Sequence, residues 1–496
     1  MIHQYKLNGH NIVIDVYSGS VHLVDDVAYD IIRLFCEKTK EEIVDELLKK
    51  YGEGGDEILP EGPLSSSDME ECYEDVRSLK EVDKLFTEDE FRLSPEIASA
   101  RKTDIKALCL HVAHACDLTC SYCFAGQGKF KGPSALMSAG VGKRAIDFLI
   151  ENSGSHRNLE VDFFGGEPLL NFDVVKEIVA YARRVEQETG KNFRFTLTTN
   201  GMGIDDEVIK FANKECHNVV LSLDGRKEIH DRERITATGR GSYDIIVPKF
   251  QKLVAERMGK PCGGAVSGRG EEINSPNTNY YMRGTFTHYN PDFTNDVFHM
   301  TELGFTELSM EPVVTDPESR FALAAEDLEI VKGQYEILAK EMLKREREGS
   351  DEPGKQPFTF YHYMLDLAHG PCIYKRIVGC GSGTEYFAVT PQGDLYPCHQ
   401  FVGDKDYLMG NIFDGITAVD IRDKFKACNV YARKECDDCW ARLYCSGGCA
   451  ANSYHATGDI TGVYKQGCDL FKKRMECAIM MAAERSLWEE ETSEEV

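Results

Sequence analysis

Cys116-Asp117-Leu118-Thr119-Cys120-Ser121-Tyr122-Cys123 sets three thiols within eight residues, directly after the apolar stretch Ile105–Val112. Three thiolates at this spacing can wrap three irons of a [4Fe–4S] cluster, whose usual complement is four. The missing fourth thiolate leaves one iron open to chelation by a small molecule. The same cysteines also suit zinc if His111 or His114 supplies a fourth ligand. The motif by itself leaves both open.

Outward from this motif, residues 104–350 alternate strand and helix. Strands are expected at Ile105–Val112, Leu159–Phe164, Phe193–Thr198, Val219–Leu223, Tyr280–Thr287 and Thr306–Met310, with helices such as Val141–Glu151, Asp173–Glu186 and Tyr243–Glu256 between them. Such alternation implies an α/β fold with a parallel sheet and crossover helices. Six units make an open barrel or a doubly wound sheet, and the pattern does not choose between them. Gly259–Asn279 reads as an inserted loop.

Polar motifs close the next three strands: Phe164-Gly165-Gly166-Glu167-Pro168, then Thr198-Thr199-Asn200-Gly201, then Ser222-Leu223-Asp224-Gly225 followed by His230-Asp231-Arg232-Glu233-Arg234. Carboxyl ends of parallel strands are where α/β proteins bind ligands. Glycines allow close backbone approach there, and a carboxylate matches an ammonium. Arg283, at a strand position, is free to meet a ligand or to pair with a core carboxylate.

The chain has 496 residues and 18 cysteines, unevenly placed. The region 355–470 has weak periodicity and carries Cys380, Gly393 and Cys398, then Cys436-x2-Cys439-x5-Cys445-x3-Cys449, then Cys468. A small region with little apolar core is stabilised by metal; zinc ribbons and iron–sulfur clusters both suit the spacings. Phe471–Trp488 is helical in pattern, with an acidic tail. At the other end, strands are expected at His3–Leu7, Asn11–Tyr17 and Val21–Val24. Helices follow behind Asp25 or Asp26, behind Thr39, and over Asp68–Phe86, with Gly52–Ser67 as a loop.

A formal charge of -26 argues against a general nucleic-acid binder, which needs a basic surface. Neither a signal peptide nor a membrane span is evident. The expected location is therefore cytoplasmic, where clustered thiols serve as metal ligands rather than disulfides.

Cys-x3-Cys-x2-Cys with an aromatic residue before the last cysteine resembles the signature of radical S-adenosylmethionine (SAM) enzymes, and the Gly-Gly-Glu and later strand-end motifs resemble that family's SAM contacts. The resemblance implies a partial (β/α)6 barrel over 104–350. It implies a cluster on the catalytic Cys116, Cys120 and Cys123, and SAM held by Tyr122, Gly165, Gly166, Glu167, Asn200, Ser222 and Arg234. The later cysteines resemble the SPASM extension of peptide-modifying relatives, here 360–488, with two auxiliary [4Fe–4S] clusters and three clusters in all. By that resemblance Cys380, Cys398 and Cys449 serve the first auxiliary cluster and Cys436, Cys439, Cys445 and Cys468 the second. Cys372 is either a fourth ligand to the first or a bystander. Cys36, Cys72, Cys109, Cys216, Cys262, Cys428 and Cys477 read as ordinary thiols.

Residues 1–90 resemble the PqqD-like winged-helix domain that captures a leader peptide by strand addition. The whole chain is similar to thioether-forming maturases of six-cysteine (SCIFF, ranthipeptide) peptides. This implies a sulfur-to-α-carbon crosslink in a Cys-rich precursor peptide, an external electron donor, and neither nucleic acid nor membrane as partner. Formylglycine or β-carbon thioether formation, and a non-catalytic electron-transfer protein, are the alternatives. Sulfatase-maturating relatives carry an acid directly after the cysteine equivalent to Cys398; here His399 stands there.

Overall fold

The computed structural model describes residues 1–57, 59–60, 62–92, 103–258, 279–367 and 372–494. Apart from Asn279, the expected loop Gly259–Asn279 lies outside the described residues, and so does Cys262.

The chain opens with an antiparallel sheet in the order β1 (Ile2–Leu7), β2 (His10–Asp15), β3 (Val21–Val24). Period-two alternation decides what each face meets. Val13 points into a core with Val27, Ile31, Ile43, Leu47 and Val76, whereas Ile12 and Ile14 join the main core of the molecule. β2 stops at Asp15 because its carboxylate accepts the Tyr17 and Ser18 amides at 3.1 and 3.0 Å, turning the chain. Three helices follow: α1 (Asp26–Leu34), α2 (Lys40–Tyr51) and α3 (Ser66–Glu81). Asp25 caps α1 and Thr39 caps α2 in a capping box with Glu42. The third helix differs from expectation at both ends. Ser65 and Asp68 form a capping box that starts it earlier, and Asp83 and Phe86 take left-handed φ of 57° and 58°, so no helix continues to Phe86.

A second sheet builds the body. Its path is β11 (Thr359–Phe360), β10 (Glu307–Pro312), β9 (Tyr280–Phe286), β8 (Cys216–Ser222), β7 (Asn192–Thr199), β6 (Asn158–Gly165), β4 (Ala107–His114), β12 (Tyr386–Val389), β13 (Asp394–Tyr396), β14 (Gly410–Asn411), β15 (Gly415–Ile416). The two-residue strand β5 (Ala135–Leu136) pairs off this path with β4. All pairings from β11 to β12 are parallel, and β12 to β15 run antiparallel. All six expected strands of the alternating region are present. β12 also adds the cysteine-rich region to the same sheet beside β4, with Phe387 opposite Leu108.

One face of this sheet packs on the helices through residues such as Leu108, Val161, Leu197, Leu221 and Met282. The other carries Asp162, Thr196, Tyr281, Arg283 and Glu311. Burial, then neighbouring charges that include Asp162 of β6, raises Tyr281 of β9. Parallel strands in this order leave their carboxyl ends, and the loops after them, at one rim.

The last helix, Lys465–Glu494, is longer than the expected Phe471–Trp488 and packs on the helix Ala325–Glu348. It also receives the N-terminal sheet. Tyr5 OH donates to the Glu476 carbonyl at 2.9 Å, His3 meets Glu476 at 3.0 Å and Asn8 donates to Glu484 at 2.6 Å. The His3 ring stacks on Trp440 with centroids 4.0 Å apart. Among the described residues no helix is long and apolar enough to cross a membrane.

Candidate functional site

The loop after β4 is stapled down by main chain. Thr119 N–H donates to Ile235 C=O at 2.7 Å and Ser121 N–H to Glu233 C=O at 3.2 Å. The Ser121 hydroxyl donates to the Glu233 carboxylate at 2.7 Å. Cys116, Cys120 and Cys123 thus converge beside the ends of β6, β7 and β8. Burial pushes the Cys116 thiol up to about 12 and Cys120 up to about 11, the latter eased by Arg234. Such thiols ionise when a cation replaces the lost water.

The glycines after β6 act through close approach. A Cβ on Gly165 would lie 2.3 Å from the Ala113 carbonyl oxygen, and one on Gly166 would lie 2.1 Å from that of Ala115. Gly165 also has φ +127°. Only glycine lets the strand end lie against the backbone leading to Cys116. Glu167, 1% exposed, accepts the Thr199 hydroxyl at 2.8 Å, the Asn200 amide at 2.8 Å and the Leu169 amide at 3.1 Å. It therefore fixes the turn after β7. Burial raises it to about 7 against those bonds. Asn200 Nδ2 donates to Asp117 at 2.7 Å and lies 3.6 Å from Cys116 Sγ, tying that turn to the cysteine loop. Ser222 ends β8, opposite Arg283.

Asp224 is the residue that sequence reasoning quoted but did not single out. Its carboxylate, 1% exposed, accepts Arg234 Nε at 2.8 Å, Arg234 Nη2 at 3.1 Å, Tyr122 OH at 2.5 Å and the Thr285 amide at 3.0 Å. Burial works upward on this acid, yet Arg234 holds it below the usual carboxylate range. Arg234 also lies over the Tyr122 ring at 5.6 Å. The signal was an acid at a strand end with an arginine ten residues on. Behind it His230 Nδ1 accepts the Asp224 amide at 3.3 Å.

The later cysteines form two groups. Cys398 and Cys449 each feel the charge of Cys380, and Cys398 that of Cys449. Cys436, Cys439, Cys445 and Cys468 interact among themselves. Cys445 and Cys449 part company because Ser446, Gly447 and Gly448 are all left-handed, with φ of 56°, 81° and 81°. Cys372 is exposed, at the start of the short helix Ile373–Val378.

His399 spans the gap between the two regions. Its ring lies 5.7 Å from Phe124, beside Cys123, and 5.0 Å from Phe164, beside Gly165. Burial lowers it to about 4. Arg283 takes the carboxylate option and pairs with Glu311. On the polar face of the sheet burial, then the neighbouring Glu160, raises Asp162 to about 7.

Among the described residues no three His, Cys, Asp or Glu side chains come close enough to share one metal ion. Zinc requires that convergence, and His111 turns its Nδ1 to His114 at 3.2 Å. Thiols of a [4Fe–4S] cluster bind separate irons and stand further apart. The grouped thiols fit such clusters.

Residues 110–275 match the model of the Radical SAM superfamily, and residues 380–440 that of SPASM, an iron–sulfur cluster-binding domain. The chain carries a radical SAM domain followed by a SPASM domain, and these indicate SAM and [4Fe–4S] clusters as cofactors. It is 21% identical over 398 residues to the radical SAM cyclopropyl synthase TigE of Paramaledivibacter caminithermalis, covering 74% of this chain and 72% of that one. It is 23% identical to a serine-type anaerobic sulfatase-maturating enzyme of Bacteroides thetaiotaomicron, covering 70% and 83%. The solved structure of anSMEcpe with bound AdoMet and Kp18Cys peptide shares its fold, with TM-score 0.57 and 18% identity over 76% of this chain and 99% of that one.

Proposed function

We propose that this protein is a cytoplasmic radical SAM peptide maturase that installs Cys sulfur-to-α-carbon thioether crosslinks in a ribosomally made Cys-rich precursor. Its parts are a PqqD-like leader-binding domain over 1–90, a partial (β/α)6 barrel over 104–350 and a SPASM domain over 360–488. It carries three [4Fe–4S] clusters: one on Cys116, Cys120 and Cys123, one on Cys380, Cys398 and Cys449, and one on Cys436, Cys439, Cys445 and Cys468. The observation that carries the reading is the N-terminal sheet. Among the described residues β3 pairs on one side alone, with β2. It offers an edge on which a peptide strand can add, in a chain that also holds the SAM-site motifs. The sulfatase-maturating relative and the peptide-bound solved structure support a peptide substrate.

A cluster held by Cys116, Cys120 and Cys123 would, with SAM and an external electron donor, supply radical hydrogen-atom abstraction directed at the acceptor α-carbon. Tyr122, Gly165, Gly166, Glu167, Asn200, Ser222 and Arg234 orient SAM. Asp224 fixes the Tyr122 hydroxyl and the Arg234 guanidinium before it arrives. His399 packs its ring between Phe124 and Phe164, bridging the first motif and Cys398. In the overall balance one α-carbon hydrogen atom and one thiol proton would leave per bridge, and clusters held by the SPASM cysteines would supply the acceptor for the remaining electron.

Mass spectrometry tests this. A Cys-rich precursor encoded beside the gene, co-expressed without oxygen, is expected to lose two hydrogens per bridge and resist reduction and alkylation, and to stay unmodified with Cys116→Ala. An unmodified peptide alongside continuing SAM cleavage refutes the thioether assignment.

A further inference from the structure

We infer that Arg283 and Glu311 grip the acceptor residue of the precursor peptide by its own main chain, Arg283 donating to its carbonyl oxygen and Glu311 accepting its N–H. The inference rests on the proposal that this chain crosslinks a peptide at an α-carbon.

Position comes first. Arg283 lies on β9 directly opposite Ser222 of β8, and Glu311 lies on β10 opposite Thr285 of β9. Asp224 holds the Thr285 amide, so both side chains stand beside the network at the proposed SAM site. The charges of Arg283 and Glu311 also reach the His399 ring, and that of Glu311 reaches Cys449. The pair therefore stands between the proposed SAM site and the first auxiliary group of thiols. An acceptor residue in that gap gives a hydrogen atom to one side and an electron to the other.

The pair is also unfinished as an internal contact. Among the described residues Glu311 is the one hydrogen-bond partner of the Arg283 guanidinium, a group with five N–H donors. Glu311 accepts that bond on Oε2. Its Oε1 lies 3.7 Å from His362 Nε2, beyond hydrogen-bond reach, and that nitrogen meets Ser309 Oγ at 3.1 Å instead. The two side chains keep 42% and 36% of their surface exposed. Burial works upward on Glu311, yet Arg283, then His362 and Arg474, hold it below the usual carboxylate range, so it can only accept. The ladder between β9 and β10 already joins the two strands.

Spare donors thus lie beside a spare acceptor. A carboxylate ligand matches the first and is repelled by the second, and an ammonium does the reverse. Main-chain amide groups match both. In extended chain the N–H and C=O of one residue point to the same side, with the α-carbon between them. Gripping both places the α-carbon and reads no side chain.

The test uses the full chain, reconstituted without oxygen, and the Cys-rich precursor encoded beside the gene. Mass spectrometry of the wild-type product locates the acceptor residue. A second precursor carries an ester in place of that residue's amide N–H, and crosslinking and 5'-deoxyadenosine release are followed for both. With wild type the ester is expected to lower kcat/KM by roughly tenfold or more, the worth of a hydrogen bond to a charged group. With Glu311→Ala the two precursors are expected to react alike. Arg283→Met is expected to form fewer crosslinks per 5'-deoxyadenosine. The exchanged pair, Arg283→Glu with Glu311→Arg, rebuilds the ion pair but reverses donor and acceptor, and is expected to melt like wild type and to stay deficient in crosslinking. A wild-type enzyme indifferent to the ester, or an exchanged pair that crosslinks at the wild-type rate, overturns the inference, and the first is readable even if the variants fail to fold. A wild-type enzyme that cleaves SAM but leaves the amide precursor unmodified overturns the thioether proposal on which the inference rests.

Discussion

Replacing Asp224 by Asn keeps the shape and removes the charge at the centre of the network at the proposed SAM site. The carboxylate faces a guanidinium whose side chain is 12% exposed, and it accepts four hydrogen bonds from Arg234, Tyr122 and Thr285. An amide retains some of those bonds but leaves Arg234 as a buried, uncompensated cation. Breaking a buried pair from one side costs about 3–5 kcal/mol. At ~2–4 °C per kcal/mol for a cooperative unit of 150–250 residues, the melting temperature of the iron-free chain falls by roughly 10 °C. Adding Arg234→Met recovers most of this, because an apolar replacement of the whole pair is near neutral. Calorimetry of wild type, Asp224→Asn and the double variant, with SAM titration of each reconstituted protein, provides the readout. Both variants are expected to bind SAM weakly, and only the single one to be unstable. A single variant melting within about 2 °C of wild type, or a double variant no more stable than the single, refutes the assignment of Asp224 as the organiser of Arg234.

Gly166→Ala drives a Cβ into the Ala115 carbonyl. It is expected to weaken SAM binding by roughly tenfold or more, about 1.4 kcal/mol, and to reduce iron at the first motif while auxiliary iron stays, as iron analysis will show. Glu167 is held near 7 by burial, so its folded-state pKa lies above the unfolded one. It therefore stabilises the fold fully below about pH 4.5, and that contribution is lost as pH rises from 4.5 through 7; Glu167→Gln is expected to flatten this part of the stability–pH curve of the SAM-free chain. If the ammonium of SAM meets this carboxylate, binding releases a proton near pH 7, and the calorimetric heat will change with buffer ionisation enthalpy. Trp440→Ala removes the His3 stack, worth about 0.5–1.5 kcal/mol, and is expected to speed amide exchange in β1 without altering iron content.

The legible parts were local. Four motifs at strand ends bring their own spacing, and each lies where its strand delivers it. Asp224 was harder because its partners Tyr122, Arg234 and Thr285 come from three different loops and strands. The end of α3 was missed because nothing in Val82–Phe86 announces left-handed backbone at Asp83 and Phe86. The separation of Cys445 from Cys449 depends on three successive left-handed residues, a direction that a Ser-Gly-Gly sequence permits without specifying. The pairing of β12 with β4 joins residues almost 280 positions apart, so no local pattern records it.

That pairing makes the cysteine-rich region a wall of the molecule. Every residue of β4 is buried, flanked by β6 on one side and β12 on the other. A chain cut before Tyr386 would bare the edge of β4 over Ala107–Leu110, the four residues that pair with β12, an open template for aggregation. The region that resembles an add-on to an older catalytic core has become a covering that the core cannot shed. A ribosome releasing this protein must protect β4 through the synthesis of nearly 280 further residues before its second neighbour exists.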